Sequence, residues 1–339
     1  MKKVTMEDVA KHSGFSKGLV SRTLSGKYGV SEQTREKIFA VASELGYDLE
    51  NKKYSQSQKK EVTIYITSHV LSKEIYWQSI IASLERRLQR AGIHIGYQIF
   101  SEDKITSSEN KRILESFNTN GRIIIHHNTK ELMNLFVQKD IPTVIIDPKY
   151  DDDTKYFKIK SSNFESAYEA TKYFINRGHK KLVYYGSPEF SYSFRERYEG
   201  MKRCCEDHNF MGIEFYEVLF SNENYEFEDN KTLEKVLKDN SITAILCSND
   251  LVAISAYKAI GEIGKKVYKD ISVIGFDNIY ESKMLSPELT TCNVPRKLMG
   301  EETAKYLIDA INKESIKYAS ISLACEIIER NSVRDLNKD

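Results

Sequence analysis

From Val62 onward the chain alternates short apolar runs with amphipathic segments, and this alternation limits the possible folds more than any other feature. VTIYIT is followed by YWQSIIASLERRLQRAG, IHIGYQIF, a helical pattern around ILESF, RIIIHH and TVIID. After residue 161 the rhythm returns with YEATKYFINRG, KLVYYG, FRERYEGMKRCCEDH, TAILCS, LVAISAYKAIGEIG and ISVIGFDN. Such a βαβ rhythm belongs to a parallel sheet, and its recurrence implies two similar, doubly wound α/β lobes.

In open parallel sheets, ligands bind beyond the carboxyl ends of the strands. The residues just after each apolar run are therefore the candidates. Ser68 and His69 follow the first run, His126 and His127 the third, and Asp147 the fourth; Asn249 and Asp250 follow AILCS, and Asp277 follows IGF. Polar side chains at such strand ends suit a ligand covered in hydroxyls, because carboxylates, amides and arginine accept from or donate to vicinal pairs. Aromatic walls complete such a site, with Tyr76 or Trp77 and Phe220 or Tyr225 as stacking faces. Structural roles compete: Asp250 could cap a helix starting at Leu251, Asp277 could cap a turn, and aromatic rings more often fill cores.

The first sixty residues differ from the rest. They carry 12 Lys and Arg against 7 Asp and Glu, a net of +5, while the remaining 279 hold 38 against 42, a net of −4. A formal net charge of +1 therefore hides a small basic module ahead of a slightly acidic body. Thr5 and Asp8 form a capping-box start to a helix carrying Met6, Val9 and Ala10, which Gly14 ends. Ser16 can cap a second helix with Leu19, Val20, Thr23 and Leu24. Ser31 can cap a third, with Ile38, Val41, Ala42 and Leu45 facing inward before Gly46. The first two helices, joined through Gly14-Phe15-Ser16, make a helix-turn-helix whose second helix fits the DNA major groove. Its outward face presents Lys17, Ser21 and Arg22, where Arg22 can grip a guanine edge and Ser21 a phosphate. Thr5, Ser16, Ser31 and Thr34 sit near helix starts able to meet phosphates.

The words VTMEDVAKHSGFSKGLVSRTLSG, VSEQTREKIFAVASELGY, SNDLVAISAYKAI, ISVIGFDN and SPELTTCNVPRKLMGEETAKYL together resemble the lactose-repressor/galactose-repressor family of bacterial transcription regulators. The resemblance implies base-reading positions at Lys17, Gly18 and Arg22, with Tyr47 near the DNA backbone. Gly18 departs from the pattern, since it offers no side chain to a base. It also implies effector contacts from Arg197, Asn249 and Asp277, effectors that are mostly sugars with some nucleobases, and a clamshell in which the chain crosses between lobes near residues 160, 291 and 323.

The expected organisation is a DNA-binding domain over 1–47, a hinge over 48–61 and a two-lobed effector-binding and dimerisation domain over 62–335. The N-lobe takes about 62–160 and 292–322, the C-lobe about 161–291 and 323–335. The hinge YDLENKKYSQSQKKE reads as a polar, flexible connector. Family members carry a proline and a leucine wedge there; here Leu49 replaces the proline and Gln56 stands near the leucine position. Either Tyr54 takes over the wedge, or Lys52, Lys53, Lys59 and Lys60 hold phosphates instead.

Other classes are disfavoured. The opening MKKV meets Glu7, Asp8 and Lys11 where a signal peptide would be apolar, and no run approaches the ~18 apolar residues of a membrane span, so a cytoplasmic protein is expected. Five cysteines, an odd number without C-x-x-C spacing, indicate neither a disulfide framework nor zinc. No phosphate-loop, zinc-protease or nucleophile-elbow motif is present, so neither an enzyme nor a cofactor is expected. A single recognition helix reads few bases, and the tail ERNSVRDLNKD lacks leucine heptads, so a homodimer on a near-palindromic operator is expected. The leading reading is a repressor of carbohydrate-utilisation genes controlled by a small sugar. The alternatives are a corepressor-dependent regulator answering to a nucleobase or other metabolite, and a cytosolic sugar-binding or sugar-modifying protein.

Overall fold

A computed structural model of the protein describes residues 4–24, 30–47, 60–72, 74–101, 119–136, 141–150, 156–220, 230–312 and 319–338. The ILESF segment, the hinge residues from Asp48 to Lys59 and Tyr225 lie outside these. Two compact units form, one from residues 1–60 with 92–94 and the other from the remainder.

In the first unit, α1 (Met6–Ser13), α2 (Lys17–Leu24) and α3 (Glu32–Glu44) enclose a core of Val9, Val20, Leu24, Ile38, Ala42 and Tyr47. The capping box is complete: Asp8 N–H donates to Thr5 Oγ1 (3.3 Å) and Thr5 N–H to Asp8 Oδ2 (2.8 Å). Gly14 ends α1 at φ 77°, a left-handed conformation that glycine adopts without steric cost, and turns the chain into α2. Leu19 N–H donates to Ser16 Oγ, and Thr34 N–H to Ser31 Oγ.

The second unit holds two six-stranded sheets. One is ordered β11-β5-β4-β3-β1-β2, from β1 (Glu61–Thr67), β2 (His94–Phe100), β3 (Gly121–Ile125), β4 (Thr143–Ile146), β5 (Phe157–Ser161) and β11 (Ser320–Leu323). The other is ordered β12-β10-β9-β8-β6-β7, from β6 (Lys181–Gly186), β7 (Glu214–Leu219), β8 (Ala244–Cys247), β9 (Ser272–Phe276), β10 (Thr290–Asn293) and β12 (Glu326–Ile328). Neighbours from β11 to β1 and from β10 to β7 run parallel, and β12 joins β10 antiparallel. Central strands β3, β4, β8 and β9 are buried throughout, as expected where helices cover both faces, and the edge strands β2 and β7 are partly exposed. The architecture is the two-lobed α/β fold that the sequence rhythm implied.

The chain passes between the sheets three times: after β5, after β10 and after β11. After β10 it enters the helix Arg296–Ile311, which lies along Glu74–Arg90 of the first lobe. Gly300 permits that approach, since a Cβ there would lie 2.2 Å from Ser83 Oγ and 2.3 Å from Ile80 O. Cys204, Cys205, Cys247 and Cys292 are buried free thiols, and Cys325 is partly exposed.

Candidate functional site

The carboxyl ends of β3 and β4 in the first lobe and of β8 and β9 in the second supply a cluster of buried polar groups. Arg197, on the helix Tyr192–Asp207, lies at its centre and is 2% exposed. Its Nε donates to Asn163 Oδ1 (2.9 Å) and Nη1 to the Ser248 carbonyl (2.7 Å); Nη2 lies 3.2 Å from Asp277 Oδ1. The guanidinium carbon sits 3.9 Å from the centroid of the Phe276 ring. This is a desolvated, stacked fork, the arrangement for which arginine is suited and lysine is not.

Asp147 reaches the same group from the first lobe. Its carboxylate accepts from the Ser193 hydroxyl of the second lobe, and Tyr192 N–H donates to Lys149 O (2.8 Å) beside it. His126 Nδ1 lies 3.0 Å from Asp147 O, and the His126 ring is flanked by Trp77 at 5.9 Å and by Phe190 at 6.1 Å. The Tyr76 hydroxyl is buried with no hydrogen-bond partner. Asp277 Oδ1 is within ion-pair distance of Arg197 but not aligned for a hydrogen bond, so it too retains unused accepting capacity.

One strongly held cation faces two buried carboxylates. Burial opposes the charge on Arg197, but Asp277, and after it Tyr76 and Asp147, outweigh that and hold its pKa above the ordinary value. Burial raises Asp147 despite the Ser193 hydroxyl and the charges of Arg197 and Lys160. Burial likewise raises Asp277, with Arg197 and Arg296 working against it. The Tyr76 phenol is pushed well up by burial and by the Asp147 and Asp277 charges. Desolvation exceeds what the single pair returns, and a ligand whose hydroxyls donate to the carboxylates would relieve it.

Four residues of this region hold left-handed backbone without being glycine: His126 (φ 63°), Asp147 (φ 47°), Asp277 (φ 102°) and Asn278 (φ 52°). Among the described residues the other such case is Tyr268. Strain of this kind, of order 1–3 kcal/mol per residue, persists where surrounding structure over-determines it, and it clusters at ligand-binding sites.

The expected residues divide. Tyr76, His126, Asp147, Arg197 and Asp277 come together. Asn249 is buried nearby and caps the helix Asp250–Glu262, accepting from Val252 N–H (2.9 Å). The cap alternative considered for Asp250 is therefore replaced: its carboxylate accepts from Thr291 Oγ1 (2.6 Å) and Ile279 N–H (2.9 Å). Ser68 is an exposed first residue of a short helix. Phe220 lies against Tyr185 at the second-lobe core (5.4 Å between centroids). Sequence reasoning missed Asn163, Ser193, Phe190 and Asn278. The rule of looking just past each strand would have found Asn163, but the lysines in FKIKS concealed β5.

In the helix-turn-helix, Arg22 is exposed, and Lys17 is exposed with its ammonium 3.0 Å from Glu7. Tyr47 is 7% exposed in the small core. Among the described residues no group of His, Cys, Asp and Glu could hold a metal, and no helix is long and apolar enough to cross a membrane.

A capped helix-turn-helix and a two-lobed domain with a polar cluster at its strand ends define a ligand-responsive DNA-binding regulator. Residues 5–48 match the model of the bacterial regulatory proteins of the lacI family, and residues 171–333 match a periplasmic binding protein-like domain. The chain is 29% identical to the HTH-type transcriptional repressor PurR of Pasteurella multocida (strain Pm70), over 97% of this chain and 98% of that one. In structure it resembles the lac repressor dimer bound to operator and the anti-inducer ONPF, with TM-score 0.72 and 23% identity over 98% of this chain and 100% of that one. It also resembles the transcriptional regulator CelR in complex with cellobiose, with TM-score 0.70 and 22% identity over 97% and 100%. The chain therefore carries a helix-turn-helix domain of the lacI family of bacterial regulatory proteins together with a periplasmic binding protein-like domain. It is a DNA-binding transcriptional repressor and not an enzyme, with operator DNA and a small-molecule effector as partners.

Proposed function

We propose that the protein acts in the cytoplasm as a homodimeric repressor whose operator affinity is set by a small, hydroxyl-rich molecule, a sugar, bound around Arg197, Asp147 and Asp277. The observation that carries this reading is the convergence of an arginine fork, two under-compensated carboxylates and an unpartnered Tyr76 hydroxyl on strand ends held in left-handed conformation. Such a set accepts from and donates to neighbouring hydroxyls at once. Tyr76, His126 and Asn249 complete the contacts; Ser68 and Phe220 stand outside this cluster. On DNA, Lys17, Ser21 and Arg22 face the major groove, and Thr5, Ser16, Ser31, Thr34 and Tyr47 support the backbone side. The domain limits 1–47, 48–61 and 62–335 belong to the same reading. The dimer follows from the short recognition helix, and the lac repressor neighbour is described as a dimer.

A second reading makes the effector a purine base acting as corepressor. It is favoured by relatives named PurR that align over almost the whole chain. A base offers ring N–H donors to Asp147 or Asp277 and a carbonyl to Arg197. A thermal-shift screen of neutral sugars and nucleobases separates the two, because a ligand of the folded state stabilises it by RT ln(1 + [L]/Kd). Fluorescence anisotropy on operator DNA then gives the sign of the response. Stabilisation by bases alone replaces the sugar reading with the purine one. Stabilisation that survives in Arg197→Ala undiminished refutes the site.

A further inference from the structure

Asn278, next to Asp277, spends every polar group it has. Its N–H donates to Thr291 Oγ1 (3.3 Å), its Nδ2 to Asn293 Oδ1 (3.0 Å), its Oδ1 accepts from Arg330 Nη2 (2.5 Å), and its carbonyl accepts from Arg296 Nη2 (3.0 Å). The turn is fastened to the second lobe again at Ile279, whose N–H donates to Asp250. Thr291, Asn293 and Arg330 belong to β10 and to the segment following β12. Arg296 is different: it is the first residue of the helix that packs along Glu74–Arg90 in the first lobe, and its guanidinium carbon lies 5.7 Å from the Tyr76 ring centroid. Tyr76 in turn packs edge-on against Trp77 (4.8 Å).

We infer that Asn278 and Arg296 are positioning residues that carry the state of the Arg197–Asp277 pair in the second lobe to the Tyr76–Trp77 wall of the first. The inference rests on the effector-site reading and adds to it the route by which the site acts across the lobes. Two successive left-handed residues, pinned by five hydrogen bonds around the turn, leave little slack. A change at Asp277 is therefore transmitted through the Asn278 carbonyl, where Arg296 receives it, rather than absorbed locally. Asparagine suits the position: it tolerates left-handed backbone and offers both a donor and an acceptor in its side chain.

Trp77 is the only tryptophan of the chain, so its fluorescence in the full-length protein reports on the first-lobe wall without a ligand. The experiment is a double-mutant cycle on its emission and on its quenching by acrylamide. Asp277→Asn should shift both in the wild-type chain, and the shift should be lost when Arg296→Met is also present. Arg296→Met also removes a charge that acts directly on Asp277, so Arg296→Lys, which keeps that charge without the guanidinium fork on the Asn278 carbonyl, runs beside it: a through-space effect of the Asp277 charge persists with the lysine, and the route through Asn278 does not. Should Asp277→Asn fail to fold, Arg197→Lys, which keeps the charge and loses the fork, is the second perturbation. Persistence of the shift with Arg296→Met or with Arg296→Lys overturns the inference, as does a wild-type chain in which neither perturbation moves Trp77. Because no ligand is used, these outcomes are independent of whether sugars or bases bind, which the thermal-shift screen decides.

Discussion

Replacing Arg197 by methionine should destabilise the two-lobed domain even without ligand, and more at high pH than at low. The guanidinium is 2% exposed, donates to Asn163 and Ser248 and faces Asp277 at 3.2 Å. Methionine fills most of the volume over Phe276 but leaves the Asp277 carboxylate buried without its countercharge. Breaking a buried pair on one side costs about 3–5 kcal/mol. At roughly 2 °C per kcal/mol for a domain of this size, the melting temperature should fall by about 6–10 °C. The pH dependence follows from Asp277, whose pKa burial already raises and which would rise further once the arginine is gone. A carboxyl with a raised folded-state pKa contributes stability that is full below its unfolded value and is lost as pH rises through the folded one. The deficit should therefore be smaller near pH 5 than near pH 8. Arg197→Met with Asp277→Leu, which removes both charges, should recover much of the loss. Thermal melts by circular dichroism at the two pH values measure all of this. A single variant that melts within about 2 °C of wild type at pH 8, or a double variant no better than the single, refutes the buried-pair argument.

The other expectations are more local. Burial, followed by the Asp277 charge, lifts Asp250 to about 8, so its contribution to stability should decline as pH rises from the ordinary carboxylate range to that value, and Asp250→Asn should flatten this part of the stability-pH curve measured by urea denaturation. Thr5→Ala removes one half of the capping box and should destabilise the three-helix unit by about 0.5–2 kcal/mol, read as a lower first transition in calorimetry of the full chain. Arg22→Ala should weaken specific operator binding by ~1–3 kcal/mol in anisotropy while leaving ligand-induced stabilisation unchanged; equal weakening on unrelated DNA would mean that Arg22 meets phosphate instead of a base.

Much of this was legible because the signals are local. Caps at Thr5, Ser16 and Ser31 act within three residues of themselves, and a glycine after α1 announces the turn. The apolar runs of β3, β4, β8 and β9 are buried on both faces, so hydrophobicity alone marks them, and the polar residues after them fall at the strand ends. What stayed hidden depends on long-range closure. β5 reads FKIKS because its alternate residues are only half buried, and Lys160 is held by Glu196 across the cluster. The lysines look like solvent signals until that partner is in place.

The backbone explains why the functional residues are polar yet not simply capping. A strand end that continues into a standard turn would direct His126, Asp147 and Asp277 away from one another or engage them locally. Left-handed conformation at each lets the chain leave the sheet while the side chain stays with the cluster. The cost is offset where the backbone groups are still satisfied: His126 N–H donates to Ile146 O, Asp147 N–H to Ile159 O and Asp277 N–H to Cys292 O, each at 2.8–2.9 Å. Each of these bonds runs to a neighbouring strand of the same sheet, so sheet pairing holds the strained residue in place. Asn249 and Asp250 show the opposite solution, with helical or extended backbone and side chains committed to Val252, Thr291 and Ile279. Among these strand-end residues Asp277 keeps its Oδ1 without a hydrogen-bond partner, while Asn249 and Asp250, which open a helix, spend their side chains on the fold.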